Sequence, residues 1–314
     1  MQLPTLIQNL RLPVIASPMF IISTPRLVIA QVRSGIVGSF PALNARPASQ
    51  LDEWLHEITE ATAGCTAPFA VNLIVHKTNT RLEEDLEVCR RHRVPLVITS
   101  LGAREDVNTA VHEWGGLVFH DVIDDRFARK AIEKGADGLI AVAAGAGGHA
   151  GNQSPFALMQ EIRAWFDGPV ALSGAIASGR SILAAQALGA DFAYMGTTWI
   201  ATDEANAVDG YKQAIVTGHA ADIVNSNLFT GVHGNYLRAS IIAAGMNPDD
   251  LPQGDVSTMN FGSGGKDATK AWRDIWGSGQ GIGVIEAVEP VAKRVDTLVT
   301  QYRAAIAELA QKTR

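Results

Sequence analysis

Three features of the 314-residue sequence predict an α/β protein of the (β/α)8 barrel (TIM barrel) type with a helical extension over the barrel mouth. Short runs rich in Val, Ile, Leu and Ala recur along the first two thirds of the chain. They are continuously apolar rather than alternating, as strands of a parallel sheet are when protein covers both faces. Between them lie segments of helical spacing with a polar face. Eight such strand–helix steps favour closure into a barrel over an open doubly wound sheet.

The steps run in order. Val14–Ala16 is the first strand, followed by a helix over Pro25–Arg33. Gly35–Gly38 then leads to a helix at Ser49–Ala63, Phe69–Ile74 to Arg81–Arg91, and Leu96–Thr99 to Glu105–Trp114. Leu117–His120 precedes Arg126–Lys134, Gly138–Ala143 precedes Pro155–Trp165, Val170–Ser173 precedes Arg180–Leu188, and Phe192–Gly196 closes the set. Two near-copies, Gly135-Ala136-Asp137 and Gly189-Ala190-Asp191, mark the same step, a glycine ending a helix just before the next strand. We therefore divide the chain into a barrel core, residues 1–204, and an extension, residues 205–314, packed on it as one structural unit. The extension reads as a helix near Ala205–Val216, a Gly- and Asn-rich stretch through Gly283, and a final helix from Val284 to Gln311. Met259–Gly265, too glycine-rich for an element interior, reads as a mobile loop.

Composition narrows the function classes. Hydrophobic residues are 47% and charged residues 18% of the chain, enough for a large core, and a net charge of −6 supplies no global field for nucleic acid or an anionic membrane. The apolar stretch Leu12–Ile22 is shorter than a membrane span, is interrupted by Pro13 and Pro18, and follows no basic region. Cys65 and Cys89 form neither a CxxC pair nor a metal-ligand cluster, so no metal is expected and a reducing cytoplasm fits.

Barrel enzymes of this type place their chemistry on the loops after the strand ends, with phosphate commonly held after strands seven and eight. Here those loops are Ser173-Gly174-Ala175-Ile176 and Gly196-Thr197-Thr198. Small residues let backbone N–H groups approach an anion, and Ser178 can cap the following helix. Each loop alone reads equally well as a tight turn; side by side they make a phosphate cradle. The sixth run ends in Gly145-Ala146-Gly147-Gly148-His149-Ala150-Gly151. Glycines on both sides suit His149 poorly to packing and let a flat ligand come close, and an imidazole can exchange a proton near neutral pH. His149 is the candidate catalytic residue.

Ala16-Ser17-Pro18-Met19 offers backbone amides and a soft side chain to a flat ring, or is a proline turn with a core methionine. Asn72 is polar inside an apolar strand and must bond something in the mouth, backbone included. His120, beside Asp121, either meets a cofactor ring edge or is a buried histidine satisfied by its neighbour. His233 either lines the mouth or caps a turn. Trp272–Trp276 and Ser278–Gly283 can fold back over the site; the tryptophans suit core packing, and Gln280 among its glycines suits a cofactor contact.

Taken together, these motifs resemble the nitronate monooxygenase family, formerly the 2-nitropropane dioxygenases, which shares its barrel with FMN-dependent enoyl-ACP reductase II. The resemblance rests on Ala16–Met19, Val71-Asn72-Leu73, Gly145–Gly151, Ser173–Ile176 and Met195-Gly196-Thr197, in that order. It implies an FMN with its phosphate on Ser173, Gly174, Ala175, Gly196 and Thr197. The ring would lie between Met19, Asn72 and the Gly147-Gly148-His149 loop. It further implies His149 as base and small-molecule nitronates and O2 as substrates, giving carbonyl compounds and nitrite. Two positions depart from relatives: His120 stands where a flavin-contacting lysine is common, and Gly145-Ala146 where some carry an acid. Three other readings stay open: an NAD(P)H-dependent FMN reductase of quinones or enoyl thioesters, a non-redox barrel enzyme binding a phosphorylated substrate, and a flavin-binding sensor or store. A homodimer is compatible with the sequence, which leaves assembly open.

Overall fold

The computed structural model describes residues 4–254 and 274–312 of the chain. Eight parallel strands form one sheet: β1 (Val14–Ala16), β2 (Gly38–Pro41), β3 (Phe69–Ile74), β4 (Leu96–Ser100), β5 (Leu117–Val122), β6 (Gly138–Val142), β8 (Val170–Ser173) and β9 (Phe192–Met195). The sheet runs β1-β9-β8-β6-β5-β4-β3-β2, and a parallel bridge between Ile15 and Val37 joins its two edges. It is a TIM barrel. The second strand lies a few residues later than expected from Gly35–Gly38: Gly35, at φ +86°, closes the turn after the preceding helix, so the strand proper begins beyond it.

Helices alternate with the strands: α1 (Pro25–Arg33), α2 (Gln50–Ala61), α3 (Leu82–Arg91), α4 (Glu105–Glu113), α5 (Asp125–Glu133), α6 (Pro155–Arg163) and α7 (Gly179–Ala187). Local chemistry sets their starts. Pro25 and Pro155 open α1 and α6, Asp124 accepts from Phe127 N at the head of α5, and Ser178 with Ser181 forms a capping box on α7. The two Gly-Ala-Asp copies perform one task. Gly135 and Gly189 take φ +88° and +98°, and the aspartates that follow accept from an amide near the start of the neighbouring strand, Asp137 from Val118 N at 2.7 Å and Asp191 from Val170 N at 2.8 Å.

The barrel interior is filled by Ile15, Val37, Ala70, Ile98, Phe119, Ile140, Ala171 and Phe192, with Ile7 from a 3-10 turn at Thr5–Ile7 joining from below. Gly138 makes room for Phe119: a Cβ there would fall 2.6 Å from the ring.

Beyond the barrel follow α8 (Thr197–Ile200), α9 (Asp209–Thr217), β10 (Ile223–Ser226), β11 (Gly234–Leu237), α10 (Arg238–Ala243) and α11 (Val291–Lys312). The final helix starts later than the expected Val284, because Gln280–Val284 is a 3-10 segment and Pro290 sets the start of α11. The expected irregular stretch contains a hairpin: β10 pairs with β11, and β11 with the two-residue strand β7 (Gly148–His149). The Met259–Gly265 segment and Trp272 lie outside the described residues. Trp276 stacks on Tyr211, ring centroids 5.0 Å apart and planes 7° from parallel. α11 packs along α7, where a Cβ on Gly179 would overlap the backbone of Leu298 and Tyr302.

Candidate functional site

Side chains on a strand alternate between the barrel interior and the helix layer. The eight interior residues above fix that alternation on every strand. Two residues further on, toward the C-terminal ends, the same face carries Ser17, Ser39, Asn72, Ser100, Asp121, Val142, Ser173 and Tyr194. One step along the barrel axis therefore turns an apolar layer into a polar floor, Val142 excepted.

That floor is hydrogen-bonded from strand to neighbouring strand. Asn72 donates both amide hydrogens, to Ile98 O at 3.0 Å and Ser100 Oγ at 2.8 Å. Ser100 donates to Asp121 Oδ2 at 2.5 Å, Ser39 donates to Ala16 O at 2.5 Å, and Ser17 hydrogen-bonds Tyr194. Asp121 Oδ1 is buried and has no partner among the described residues. Burial pushes the Asp121 carboxyl up to about 6 against the pull of the Ser100 bond. The Tyr194 hydroxyl is raised well above its ordinary value, by burial first and then by the Asp121 charge.

The alternation also decides between neighbours on β5. Asp121 faces the interior, whereas His120 is turned toward the helix layer with Nδ1 2.6 Å from Thr99 Oγ1, and burial lowers it to about 4. Of the two roles read for His120, the buried histidine satisfied by a neighbour describes this placement, with Thr99 rather than Asp121 as the partner.

The loop after β1 is pinned from outside. Ser17 N donates to Met195 O, Met19 N to Ser23 Oγ, and Asn44 bonds Met19 O, Ser23 O and Ile21 N. Ala16 and Pro18 complete this loop, and Gly196 lies against it: a Cβ there would stand 3.4 Å from Ser17 Cβ and 3.7 Å from Met19 Sδ.

The loops after β6 and β8 meet at one carbonyl, and the loop after β9 is tied to them through Gly279. Gly145 O accepts from Ala175 N at 3.2 Å and from Gln280 N at 2.9 Å, and Gly279 N donates to Thr197 Oγ1 at 2.9 Å. Gly174 at φ +136° and Ala175 at +54° turn the loop that follows Ser173. Residues 278–280 thus strap the Gly145–Gly148 loop to Thr197. A Cβ on Gly147 would lie 2.7 Å from Gly279 N, so close backbone approach demands glycine there. Gly148, at φ +66°, faces open space, with nothing within 4 Å of a Cβ built on it.

His149 is held by the hairpin. It pairs with Gly234 of β11, and its Nε2 lies 2.9 Å from Thr230 Oγ1, which itself bonds Val232 O and Tyr236. Asn235 Nδ2 donates to Ala146 O at 2.6 Å, fixing the loop from the same side. Burial lowers His149 to about 4, so it is neutral at pH 7 and can accept a proton. His233 is exposed and bonds Asn225.

The structure thus gathers Gly147, Gly148, His149, Ser173, Gly174, Ala175, Gly196, Thr197 and Gln280, sets Ala16–Met19 against Gly196, and places Asn72 in the floor. Sequence reasoning passed over Ser100, Asp121, Thr230 and Asn235. For Asp121 a signal existed, the i, i+2 series Leu117, Phe119, Asp121; for Thr230 none did, since its partner is 81 positions away.

Comparison with known proteins places the chain in a family. Residues 78–301 match the nitronate monooxygenase family, a span that includes the His149 loop, Ser173–Ala175, Gly196–Thr197 and Gln280. The chain belongs to the nitronate monooxygenase family. Among its relatives in this family, a nitronate monooxygenase of Paraburkholderia phytofirmans is 26% identical over 75% of this chain and 76% of its own. A Mycobacterium tuberculosis protein provisionally named a monooxygenase is 32% identical over 49% of this chain and 42% of its own. The chain spans 42% to 64% of the length of the first three curated relatives it matches. The fold is shared with nitroalkane oxidase from Streptomyces ansochromogenes (TM-score 0.82, 23% identity, 98% of this chain and all of that one). It is shared also with FabK from Thermotoga maritima (TM-score 0.79, 24% identity, 98% and 97%). No described helix is long and apolar enough to cross a membrane.

Proposed function

We propose that the chain is an FMN-dependent nitronate monooxygenase, using O2 to convert alkyl nitronates, and the nitroalkanes that give rise to them, into carbonyl compounds and nitrite. The observation that carries this reading is His149: a neutral imidazole, oriented by Thr230 and flanked by glycine, at the mouth of a barrel whose family is the nitronate monooxygenases.

The residues present fit an FMN. Small loops at adjacent strand ends, Ser173–Ala175 and Gly196–Thr197, suit its phosphate, and the open space at Gly148 suits a flat ring. Met19, Asn72 and Gln280 would contact the ring and its edges. When bound, FMN supplies the electron acceptor for the nitronate and the group with which O2 reacts. The chain's own part is acid–base and positional. His149 takes the α-proton from the carbon of a neutral nitroalkane, and for a preformed nitronate it only orients the anion. Thr230 and Asn235 hold His149 and its loop in place, and the strap at 278–280 covers that loop. Two free cysteines, one exposed and one buried, suit a reducing compartment.

The test is the visible spectrum of the purified protein, followed by anaerobic mixing with propyl nitronate and, separately, NADH. A flavin spectrum bleached by nitronate alone supports the monooxygenase. Bleaching by NADH alone moves the assignment to an FMN reductase of quinones or enoyl thioesters, and absence of flavin overturns both.

A further inference from the structure

The polar floor contains one group that the activity above does not use. Asp121 lies near the end of β5 on the inward face, half-buried as a residue, with Oδ1 buried and without a partner among the described residues. The direction of the hydrogen bonds is fixed by donors that have no alternative. Asn72 has both amide hydrogens engaged, so the atom it can offer a ligand is its Oδ1, an acceptor. Ser100 accepts from Asn72 and donates to Asp121 Oδ2, so Asp121 also presents an acceptor, Oδ1. Asn72 of β3 and Asp121 of β5, bridged by Ser100 of β4, thus both leave an acceptor for a hydrogen-bond donor. An unmet buried carboxylate oxygen is costly, and at a strand end facing the barrel mouth a bound ligand can meet it.

We propose that Asp121, backed by Ser100 and Asn72, is a ligand-contacting residue of the barrel floor, its Oδ1 accepting a hydrogen bond from the imide N–H of the bound flavin ring. The inference rests on the reading that the mouth holds the flavin. It assigns the ring's polar edge to β3–β5, across the barrel from the loops suited to phosphate. It also makes flavin affinity depend on the Asp121 proton, because a protonated Oδ1 is no longer an acceptor. Tyr194 of β9 is the titratable side chain that interacts with Asp121; His120 faces the other way, Ser100 is its β4 neighbour, and no cation pairs with it among the described residues. His149 titrates at about 4, below the window concerned.

The experiment titrates the flavin-stripped full-length chain with FMN and with riboflavin between pH 5 and pH 8, following flavin fluorescence. Riboflavin has no phosphate, so a pH effect seen with both ligands belongs to the ring site. In the parent protein we expect affinity to fall about tenfold per pH unit below about 6 and to be level above about 7, for both ligands. Asp121→Asn must turn its carbonyl to Ser100 and its NH2 to the ring, replacing an acceptor by a donor, and should bind at least tenfold more weakly at pH 7.5 with no pH dependence. Ser100→Ala, which removes the bond favouring the carboxylate, should move the midpoint upward in pH. Equal affinity and pH profile in Asp121→Asn and parent overturn the proposal, as does a pH effect confined to FMN. If Asp121→Asn does not fold, the riboflavin profile of the parent and the Ser100→Ala shift decide. Failure of the parent to bind FMN at all overturns the flavin reading itself.

Discussion

Replacing Asp121 by asparagine should change how the stability of the flavin-free protein responds to pH, independently of any ligand. Burial raises this carboxyl from 3.8 to about 6. Between those values the folded protein holds the proton and the unfolded chain has released it. Stability therefore falls as pH rises from about 4 to about 6, and is level above that. At about 1.4 kcal/mol per pH unit the ceiling is about 3 kcal/mol, and about 2 kcal/mol is expected for a side chain that keeps some solvent. Asparagine does not titrate, and the penalty for its buried N–H is the same at every pH. The stability difference between Asp121→Asn and parent should thus swing by about 2 kcal/mol in favour of the variant between pH 4 and pH 7. His120 and His149 titrate near pH 4 in both proteins and cancel. Urea denaturation at the two pH values, followed by tryptophan fluorescence and circular dichroism, reads the swing as a midpoint shift at constant m. A difference that is the same at both pH values refutes the buried-carboxyl argument.

Other expectations follow from single contacts. His149→Asn should keep FMN but lose most activity on neutral nitroalkanes, about 100-fold or more, with a smaller loss on preformed nitronates; equal losses would remove the base assignment. In the parent, turnover of neutral nitroalkanes should persist as pH falls until His149 protonates near 4, which a pH–rate profile checks. Thr230→Val should move that limb and lower kcat more than it alters flavin binding, with Thr230→Ser restoring both. Gly147→Ala brings a Cβ to 2.7 Å from Gly279 N and should cost about 1–3 kcal/mol and loosen the strap, seen as a lower Tm and faster flavin loss. Gly179→Val should undock α11 from α7 and lower Tm by a comparable amount, with the flavin spectrum unchanged.

The strands and helices of the barrel were legible because their signal is local. Continuous apolar runs mark strands covered on both faces, and Gly-Ala-Asp turns mark helix ends whatever the rest of the chain does. Glycine likewise announces a strand-end loop, since close backbone approach at Gly147 and left-handed backbone at Gly148 and Gly174 exclude most other residues. The second strand and the start of α11 were misplaced by a few residues because a turn glycine and a proline, not hydropathy, set those limits.

What the sequence determined by itself, then, was the order of elements and the glycine-rich strand-end loops, with His149 among them as the proton-transfer candidate. Only the tertiary structure decided which polar residues share the barrel floor. Side-chain direction along a strand depends on register, so His120 and Asp121, adjacent in the chain, part to opposite faces, and a series spread over eight strands becomes one layer only when the sheet closes. Thr230 could reach His149 only through the hairpin, because a contact between positions far apart in the chain leaves no local trace in hydropathy or spacing.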